Sequence, residues 1–356
     1  MADTHPIFCT IVPPHVLDKL ARAGDPAVSE RARRTLEADS AQRTRRRLTA
    51  VAGPAAVTSP AGGPSDAPDR PDRTVHDCRN GTRLPGVKVR GEGDEPGGDA
   101  TVNRVYAGLG ATFELLLTSY GRSSLDGLGL PLTASVHYGR DYGNAFWNGE
   151  QMVFGDGDGE IFLDFSLPVD VIAHELAHGL TQYTANLEYY GQSGALNESV
   201  SDVVGSLVKQ YTLGQNADRA DWLIGEGLLA PGVTGVALRS MKNPGSAYDD
   251  DVLGKDPQPG SMDDYVVTGR DNGGVHINSG IPNRAFFLLA TQLGGRAWER
   301  PGQIWFDTLT GGELAPDADF ADFARLTAAA ASARYGDGEE SEAVLKAWAQ
   351  VGVPTG

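Results

Sequence analysis

The run His-Glu-Leu-Ala-His at residues 174–178 constrains this chain more than any other feature. Residues four apart on an α-helix share one face, so His174 and His178 can reach the same ion. Neutral imidazole is a good zinc ligand. Glu175 lies one residue past the first histidine and is angled away from the ion, which suits a base acting on a water beside it. The competing interpretation is an amphipathic helix with two incidental histidines.

A catalytic zinc ion needs a third protein ligand and an open position. Residues 194–202 read Gly-Ala-Leu-Asn-Glu-Ser-Val-Ser-Asp. Glu198 is the candidate third ligand if a second helix runs back beside the first. Asp202 follows one helical turn later and could accept the outer ring N–H of a zinc histidine. Two acids on a solvated helix face would be the better interpretation elsewhere, but it is disfavoured beside an HExxH helix.

A third histidine lies in the run Asp-Asn-Gly-Gly-Val-His at residues 271–276. The Asn-Gly-Gly sequence predicts a turn that delivers His276 to the start of an apolar helix over residues 281–293. Asp271 is close enough in sequence to hold the imidazole protonated. A lone histidine at a helix start is usually a cap or a surface residue. We favour a catalytic role because this is the third histidine, of only seven, that falls in a motif.

From about residue 74 onward the chain resembles the thermolysin family of zinc metalloendopeptidases. The resemblance rests on six stretches in the same order. They are residues 144–147 (Asn-Ala-Phe-Trp), 152–159 (Met-Val-Phe-Gly-Asp-Gly-Asp-Gly), 174–178, 195–199 (Ala-Leu-Asn-Glu-Ser), 238–241 (Leu-Arg-Ser-Met) and 271–281. Six co-linear matches over most of the chain indicate a zinc peptidase that acts on peptide or protein substrates.

The resemblance implies a role for each residue of the metal centre. His174, His178 and Glu198 would hold the zinc ion. Glu175 would take a proton from the attacking water and pass it to the leaving amine. Asp202 would orient one of the zinc histidines.

The resemblance also implies which residues act on the scissile bond. Tyr189 and His276 would donate hydrogen bonds to the developing oxyanion, and Asp271 would orient His276. Arg239 would hold a carbonyl on the primed side of the substrate.

Substrate binding is expected along the edge of a sheet. Asn144 and the backbone of Ala145 would hold the peptide extended, as an added strand. The resemblance implies an apolar pocket for the residue after the scissile bond, and therefore cleavage before Leu, Phe, Ile or Val. For each candidate pocket residue, an ordinary core position is an equally good interpretation. These candidates are Phe162, Val171, Ile224 and Leu238.

The chain departs from the family pattern at the double calcium site of secreted members. Lys209 and Leu223 stand where two acidic ligands are expected, although Asp170, Asp221 and Glu226 remain. A site that lacks two hard oxygen ligands and gains an ammonium group should not hold Ca²⁺. We therefore predict that the double calcium site is absent and that the catalytic zinc is the single cofactor.

Residues 1–50 resemble the short propeptide of the protealysin-like branch of this family. The resemblance rests on the Pro-Pro-x-x-Leu element formed by Pro13, Pro14 and Leu17, within sequence that favours helices over residues 15–24 and 25–48. We expect this element to lie near the metal, with Leu17 a candidate occupant of the apolar pocket. The chain's own propeptide would then be an intramolecular inhibitor.

The propeptide is basic and the remainder of the chain is acidic. Residues 1–50 carry nine Lys/Arg and six Asp/Glu, a net charge of +3, whereas the remainder carries 21 and 41, a net charge of −20. Opposite charges favour docking of the propeptide while it stays tethered. Residues 51–73, rich in Ala, Pro, Gly and Asp, predict a flexible linker, and we expect the processing bond within residues 47–73. The arginine run at 43–47 could suggest nucleic acid, but the acidic body disfavours this partner.

Two cysteines provide no disulfide framework. Cys9 falls in the expected propeptide and Cys78 in the expected enzyme. Cys9 is either a small buried hydrophobic residue or a zinc ligand that keeps the precursor inactive. Residues 1–20 show no secretory signal pattern, and no run approaches the roughly 18 apolar residues that span a membrane. We expect cytoplasmic synthesis, no membrane partner and a monomer, with release by a non-classical route left open.

The predicted fold class is α+β, with two lobes preceded by a short helical propeptide. Residues 74–167 show short strand-like runs between glycine-rich turns and one helix over 103–119, which predicts a mainly β N-terminal lobe. Residues 168–356 show helical periodicity and predict an α-helical C-terminal lobe. The active site is expected in the cleft between the lobes.

Two other functions compete with this interpretation. A catalytically dead or permanently capped binding module could share the fold, but all the expected site residues are present. Zinc hydrolases with the longer motif HExxHxxGxxH are disfavoured because the glycine and third histidine of that motif are missing after residue 178.

Overall fold

The computed structural model describes residues 9–51 and 68–355. Most of the predicted linker, residues 52–67, lies outside the described residues, as does any processing bond within it. The helices are α1 (Pro14–Leu20), α2 (Pro26–Val51), α3 (Ala100–Tyr120), α4 (Val169–Gln182), α5 (Gly191–Leu213), α6 (Asp271–Asn278), α7 (Gly280–Leu293), α8 (Arg300–Thr310), α9 (Phe320–Tyr335) and α10 (Glu339–Gln350). Among the described residues, none of the helices has the length and apolar composition of a membrane span.

The strands form one large sheet and two small ones. They are β1 (Cys9–Thr10), β2 (Arg73–Asp77), β3 (Val87–Gly91), β4 (Leu132–Val136), β5 (Ala145–Trp147), β6 (Met152–Phe154), β7 (Leu223–Ile224), β8 (Arg239–Ser240), β9 (Asp249–Asp250) and β10 (Gly254–Lys255). The large sheet has the order β1-β5-β6-β4-β2-β3, with parallel pairing of β2, β4 and β6. The small sheets pair β7 with β8 and β9 with β10.

Helix α3 packs beside the large sheet, and its ends follow from local sequence. The Asp99 side chain accepts hydrogen bonds from the backbone N–H groups of Thr101 and Val102, which caps the helix start. Gly121 ends the helix with a φ of 65°, a left-handed conformation that glycine adopts without steric cost. The apolar face between these caps includes buried Val105, Leu109 and Phe113. The helix predicted over residues 103–119 is therefore confirmed.

The segment predicted to be a propeptide contributes an edge strand as well as helices. The predicted helices at 15–24 and 25–48 correspond to α1 and α2. Strand β1 was not predicted, and it pairs antiparallel with β5, with Cys9 opposite Trp147 and Thr10 opposite Phe146. A strand of two residues has no measurable periodicity, so its existence depends on the partner strand.

Buried polar contacts hold α2 against the N-terminal lobe. The Asp39 carboxylate accepts a hydrogen bond from Asn144 Nδ2 (3.1 Å) and another from the Tyr142 hydroxyl. Gln42 Nε2 donates to the Tyr138 hydroxyl (2.8 Å). Asp39 is 2% exposed, so these contacts lie out of water, where an unpaired polar group would be costly.

The C-terminal lobe is helical, as predicted, and confirms the α+β architecture. Helices α4 and α5 cross closely at Gly205, where an added Cβ would lie 2.6 Å from the Asp170 carbonyl oxygen. Stacked Trp305 and Trp348, with ring centroids 5.8 Å apart, join α8 to α10. Phe286 of α7 packs edge-on against Trp305 at 5.1 Å. The predicted bounds of the propeptide, linker and lobes remain predictions.

The turn before His276 differs in one respect from its prediction. Asn272, Gly273 and Gly274 all have positive φ angles of 49°, 84° and 82°, which confirms a turn at this run. His276, however, lies in the separate short helix α6, because α7 begins only at Gly280. The first turn of α7 therefore does not carry His276.

Lys209 of α5 occupies a junction of three carboxylates. Its Nζ lies 2.7 Å from Asp221 Oδ2, 3.1 Å from Glu226 Oε2 and 3.5 Å from Asp170 Oδ2. Burial raises the pKa of Asp170 to about 6, and Lys209 opposes that rise. The ammonium group therefore stabilises a buried carboxylate in the first turn of α4.

Replacing Lys209 should destabilise the fold in a pH-dependent way. We expect Lys209→Met to lower the free energy of unfolding by about 2–3 kcal/mol at pH 8, because Asp170 loses its partner. In the variant the pKa of Asp170 rises further, so this carboxyl group is protonated and uncharged in the folded state at pH 5.5. The loss of unfolding free energy is therefore smaller at pH 5.5 than at pH 8. Urea unfolding at both pH values measures this, with exposed Lys346→Met as the control. Equal losses for the two variants would contradict the assignment.

Candidate metal centre and substrate cleft

Helices α4 and α5 bring the predicted ligands together. His174 and His178 lie one turn apart on α4, and Glu198 lies on α5. His174 Nε2 is 3.0 Å from His178 Nε2, and each of these atoms is 3.6 Å from a Glu198 oxygen. All three side chains are inaccessible to solvent. Three donor atoms that converge without exposure are suited to holding one cation.

The surroundings of these donor atoms also suit a metal ion. The Nδ1 atoms of His174 and His178 lie 2.8 Å from Asp202 Oδ1 and Asn197 Oδ1, which turns both Nε2 atoms toward the centre. Burial lowers the pKa of His178 to about 3, so this imidazole is neutral. Within the described part of the chain, Glu198 Oε2 is buried without a hydrogen-bond partner. The residues present therefore fit a divalent metal such as zinc.

Asp202 connects the metal centre to two further residues. Beyond His174, its carboxylate accepts bonds of 2.8 Å from Arg239 Nε, from the terminal nitrogen Nη2 of Arg239 and from Asn283 Nδ2. Burial opposes ionisation of Asp202, but the Arg239 guanidinium outweighs it and holds the pKa well below its usual range. Asp202 is thus a fixed negative charge behind His174.

Glu175 differs from the other acids of the site. Burial, followed by the Glu198 charge, raises the pKa of Glu175 well above its ordinary value. Among the described residues, neither carboxylate oxygen makes a hydrogen bond of normal geometry. A buried carboxylate with free oxygens and a raised pKa is suited to accepting and returning a proton.

His276 and Tyr189 face the metal centre from the other side. Asp271 Oδ1 lies 2.6 Å from His276 Nδ1, and the backbone N–H of His276 donates to Asp271 Oδ2 at 3.0 Å. Burial opposes a charge on His276, but Asp271 and Glu198 outweigh it and raise its pKa to about 9. The Tyr189 hydroxyl donates to Glu198 and lies 3.3 Å from His276 Nε2. Two hydrogen-bond donors therefore flank the centre.

Residues 10–12 of the propeptide run through the cleft. His276 Nε2 lies 2.8 Å from the Thr10 carbonyl oxygen, and Nη1 of Arg239 donates to the Ile11 carbonyl at 2.9 Å. The Ile11 N–H donates to the Ala145 carbonyl at 3.1 Å. Val12 N–H donates to Asn144 Oδ1 at 2.9 Å. Three of the residues predicted to bind a peptide, Asn144, Ala145 and Arg239, therefore bind this segment in the structure.

Cys9 lies at the metal centre. Its sulfur, one nitrogen of His178 and one oxygen of Glu198 all lie within 4.8 Å of one another, and all three residues are buried. A thiolate is a strong zinc ligand. Of the two interpretations open from the sequence, this position favours the ligand.

Among the described residues, no contact fixes the roles of the remaining predicted residues. The candidate pocket residues Phe162, Val171, Ile224 and Leu238 are all buried. Pro13 and Pro14 directly follow the segment in the cleft, and Leu17 is buried within α1. The pocket and the inhibitory Pro-Pro-x-x-Leu element therefore stay predictions.

Sequence reasoning missed four residues that support the site. Asn197 and Ser201 contact His178 Nδ1, Asn283 binds Asp202, and Asp39 binds Asn144. Asn197 is the one that the sequence could have indicated, because it directly precedes Glu198 on the helix that faces α4. The others depend on contacts between distant segments.

Two family models match the chain. One is described as thermolysin metallopeptidase, catalytic domain, and covers residues 75–182; the other, the alpha-helical domain, covers residues 185–353. An extracellular metalloprotease of Pectobacterium carotovorum subsp. carotovorum is 55% identical over 282 residues, which are 79% of this chain and 81% of that protein. The chain belongs to the thermolysin metallopeptidase family. This membership makes it a zinc metalloendopeptidase, as the sequence predicted.

Two further proteins are similar to this chain, and one of these matches extends to residues before the catalytic domain. Protease PrtS of Photorhabdus sp. (strain Az29) is 52% identical over 283 residues, which are 79% of this chain and 76% of that protein. The solved precursor of protealysin, a metalloproteinase from Serratia proteamaculans, is 51% identical with a TM-score of 0.87. That match covers 97% of this chain and 99% of the solved one, so it includes residues before the catalytic domain.

Removing the charge behind His174 should weaken the metal centre. We expect Asp202→Asn to lower zinc affinity about 10–100-fold, because the histidine loses a charged acceptor that orients it. Competition with a chromophoric chelator measures this, with circular dichroism to confirm folding. Exposed Asp218→Asn serves as the control. Unchanged zinc affinity in Asp202→Asn would show that the orientation of His174 does not depend on this carboxylate.

Proposed function

We propose that the chain is the self-inhibited precursor of a zinc endopeptidase that cleaves before bulky hydrophobic residues and processes itself. The observation that carries this proposal is the convergence of His174, His178 and Glu198 beside a buried carboxylate, Glu175, with free oxygens. A peptide segment already bound across these groups supports action on extended polypeptide.

The residues of the metal centre have distinct roles. His174, His178 and Glu198 hold zinc, and Asp202 and Asn197 fix the orientation of the two imidazoles. When bound, zinc supplies a Lewis acid that polarises the substrate carbonyl and lowers the pKa of a neighbouring water.

The protein groups around the centre handle the proton and the developing charge. Glu175 removes a proton from the attacking water and returns it to the leaving nitrogen, a transfer that its raised pKa favours. His276, charged because Asp271 lies beside it, donates a hydrogen bond to the carbonyl oxygen together with Tyr189. Arg239 and Asn144 hold the peptide in register on the primed side.

The proposed specificity follows from the occupant of the cleft. Ile11 is fully buried at the position after the carbonyl that His276 contacts. The predicted pocket residues are all apolar and belong to the same hydrophobic core as Ile11: Phe162, Val171, Ile224 and Leu238. An apolar pocket favours Leu, Phe, Ile or Val at this position because charged groups would lose their hydration without a partner.

Latency follows from the same contacts. Residues 10–12 use the hydrogen bonds that a substrate needs, and the Cys9 thiol supplies a further donor at the zinc site of the precursor. The helices α1 and α2 anchor this segment on the enzyme, so inhibition persists until the linker is cut.

We further propose that the double calcium site is replaced by Lys209. Its ammonium group contacts Asp170, Asp221 and Glu226, the acids that remain of that site. Two positive charges cannot share this space favourably, which supports stability without Ca²⁺. Cytoplasmic synthesis and a monomeric state stay predictions.

Neutralising Glu175 tests the proposed function. We expect Glu175→Gln to bind one zinc ion per chain but to hydrolyse a Gly-Leu peptide about 10²–10⁴-fold more slowly, because the proton acceptor is lost. The same variant should not process itself. Intact mass, zinc content and peptide hydrolysis are followed beside the wild type.

Two outcomes of that experiment would contradict the proposal. A wild-type chain that binds zinc but stays inert after its linker is cut would be a binding module. A Glu175→Gln chain that processes at the wild-type rate would show that another protease performs the cut. Exposed Glu37→Gln, in the propeptide, is the matched control and should behave as the wild type.

Release of the propeptide should depend on pH through Asp39. Burial raises the pKa of docked Asp39 to about 6, against contributions from Tyr142, Arg43 and Asn144 that lower it. The docked state therefore binds more protons, so docking is tightest below the ordinary pKa near 4 and weakens as pH rises through 6. We expect up to about 100-fold weaker docking at pH 7.5 than at pH 4.

A catalytically inactive chain separates release of the propeptide from catalysis. In Glu175→Gln with a cleaved linker, dissociation of the propeptide is measured by size-exclusion chromatography between pH 4 and 7.5. Asp39→Asn, which cannot ionise, should remove most of this pH dependence, whereas exposed Glu37→Gln should keep it. A pH profile of Asp39→Asn that matches the wild type would assign the effect to another group.

A further inference from the structure

We propose that the Thr10–Ile11 peptide bond is itself a substrate of this site, so the chain has a second self-processing point inside its propeptide. This inference rests on the proposed function. It goes beyond inhibition because it assigns the segment a scissile bond, and it predicts two defined products.

The Thr10 carbonyl lies where a reacting carbonyl is required. Its oxygen is 2.8 Å from His276 Nε2. That nitrogen is 3.5 Å from Glu198 Oε1 and 3.3 Å from the Tyr189 hydroxyl. The carbonyl oxygen thus contacts one proposed oxyanion donor, and that donor lies next to the other donor and to a predicted metal ligand. The other described backbone carbonyls of the segment bind elsewhere: Ile11 to Arg239 and Val12 to Asn144.

The nitrogen of the same peptide bond faces the base. The Ile11 N–H donates to the Ala145 carbonyl at 3.1 Å. It also faces the Glu175 carboxylate, although no hydrogen bond of normal geometry joins them. A leaving nitrogen therefore lies beside the group proposed to protonate it.

The register is fixed on both sides of this bond. On one side, Cys9 and Thr10 pair with Trp147 and Phe146 of β5. On the other, the Val12 N–H and carbonyl bind the Asn144 side chain at 2.9 and 3.5 Å. A strand added to a sheet edge is held extended, and a peptide held in one geometry loses little further entropy on reaction.

The Cys9 side chain explains why the bond persists in the precursor. Its sulfur lies with His178 and Glu198, in the space that an attacking water needs. Once the thiol leaves, water adds its oxygen to the Thr10 carbonyl carbon. The C–N bond breaks, and the proton passes through Glu175 to the Ile11 nitrogen. The products are a peptide that ends in the Thr10 carboxylate and a chain that begins with the Ile11 amine.

Mass spectrometry of the full chain tests this directly. Zinc-loaded wild type, Cys9→Ser, Ile11→Asp and Glu175→Gln are incubated, and fragments that end at Thr10 or begin at Ile11 are quantified. We expect Cys9→Ser to cut this bond at least about tenfold faster than the wild type, because the thiol no longer occupies the position that the attacking water needs. Ile11→Asp should lose this cut and retain the linker cut, whereas Ile11→Leu should retain both.

A second readout does not depend on catalysis. In Glu175→Gln stripped of zinc, the Ile11 and Val12 amides should still exchange hydrogen slowly, because Ala145 and Asn144 fix the register. A Thr10–Ile11 bond that stays intact in wild type and Cys9→Ser, while linker cutting and peptide hydrolysis proceed, would overturn this inference alone. Rapid exchange at Ile11 would also overturn it. If no chain cuts either the linker or a peptide, the proposed function fails as well.

Discussion

The active site depends on the hydrogen bonds that the Asp202 carboxylate accepts. It lies out of water between His174, Arg239 and Asn283, so each of these residues is oriented by the same negative charge. An unpaired buried carboxylate would be strongly destabilising, so the surrounding donors must be present together. The crossing of α4 and α5 brings His174 to Asp202 and places Glu198 beside the two histidines.

Arg239 extends this network from the metal to the substrate. One edge of its guanidinium, formed by Nε and Nη2, donates to Asp202, and Nη1 donates to the Ile11 carbonyl of the N-terminal segment. A single side chain therefore links the position of His174 to the position of the bound peptide. This link explains how a short segment can be held in the register of a substrate while α1 and α2 retain it on the enzyme.

Local geometry predicts one part of the site, and the resemblance supplied Tyr189, Arg239 and Asn144. Helical spacing places His174 and His178 on one face and Asp202 one turn after Glu198, and the Asn-Gly-Gly turn keeps Asp271 beside His276. Long-range partners were not predictable. Asn283 lies 81 residues from Asp202, and Asn144 lies 105 residues from Asp39, so no local pattern encodes these contacts.

The same distinction applies to the fold. Helical periodicity over residues 168–356 predicted a helical lobe, and α4 to α10 lie within these residues. Strand β1 has two residues and exists through pairing with β5, so its sequence alone carries no strand signal. The segment that we propose to inhibit the enzyme therefore carries little local information, although its β-branched run Thr10-Ile11-Val12 is compatible with a strand.

The central claim is that residues 10–12 occupy the substrate cleft of the precursor. Calorimetric titration of zinc-loaded Glu175→Gln with a dipeptide hydroxamate tests it most directly, on the intact chain and on the same chain freed of its propeptide. The account predicts no measurable binding to the intact chain and stoichiometric binding after the propeptide is removed. Equal binding to both would show that the cleft is open in the precursor and would contradict the account.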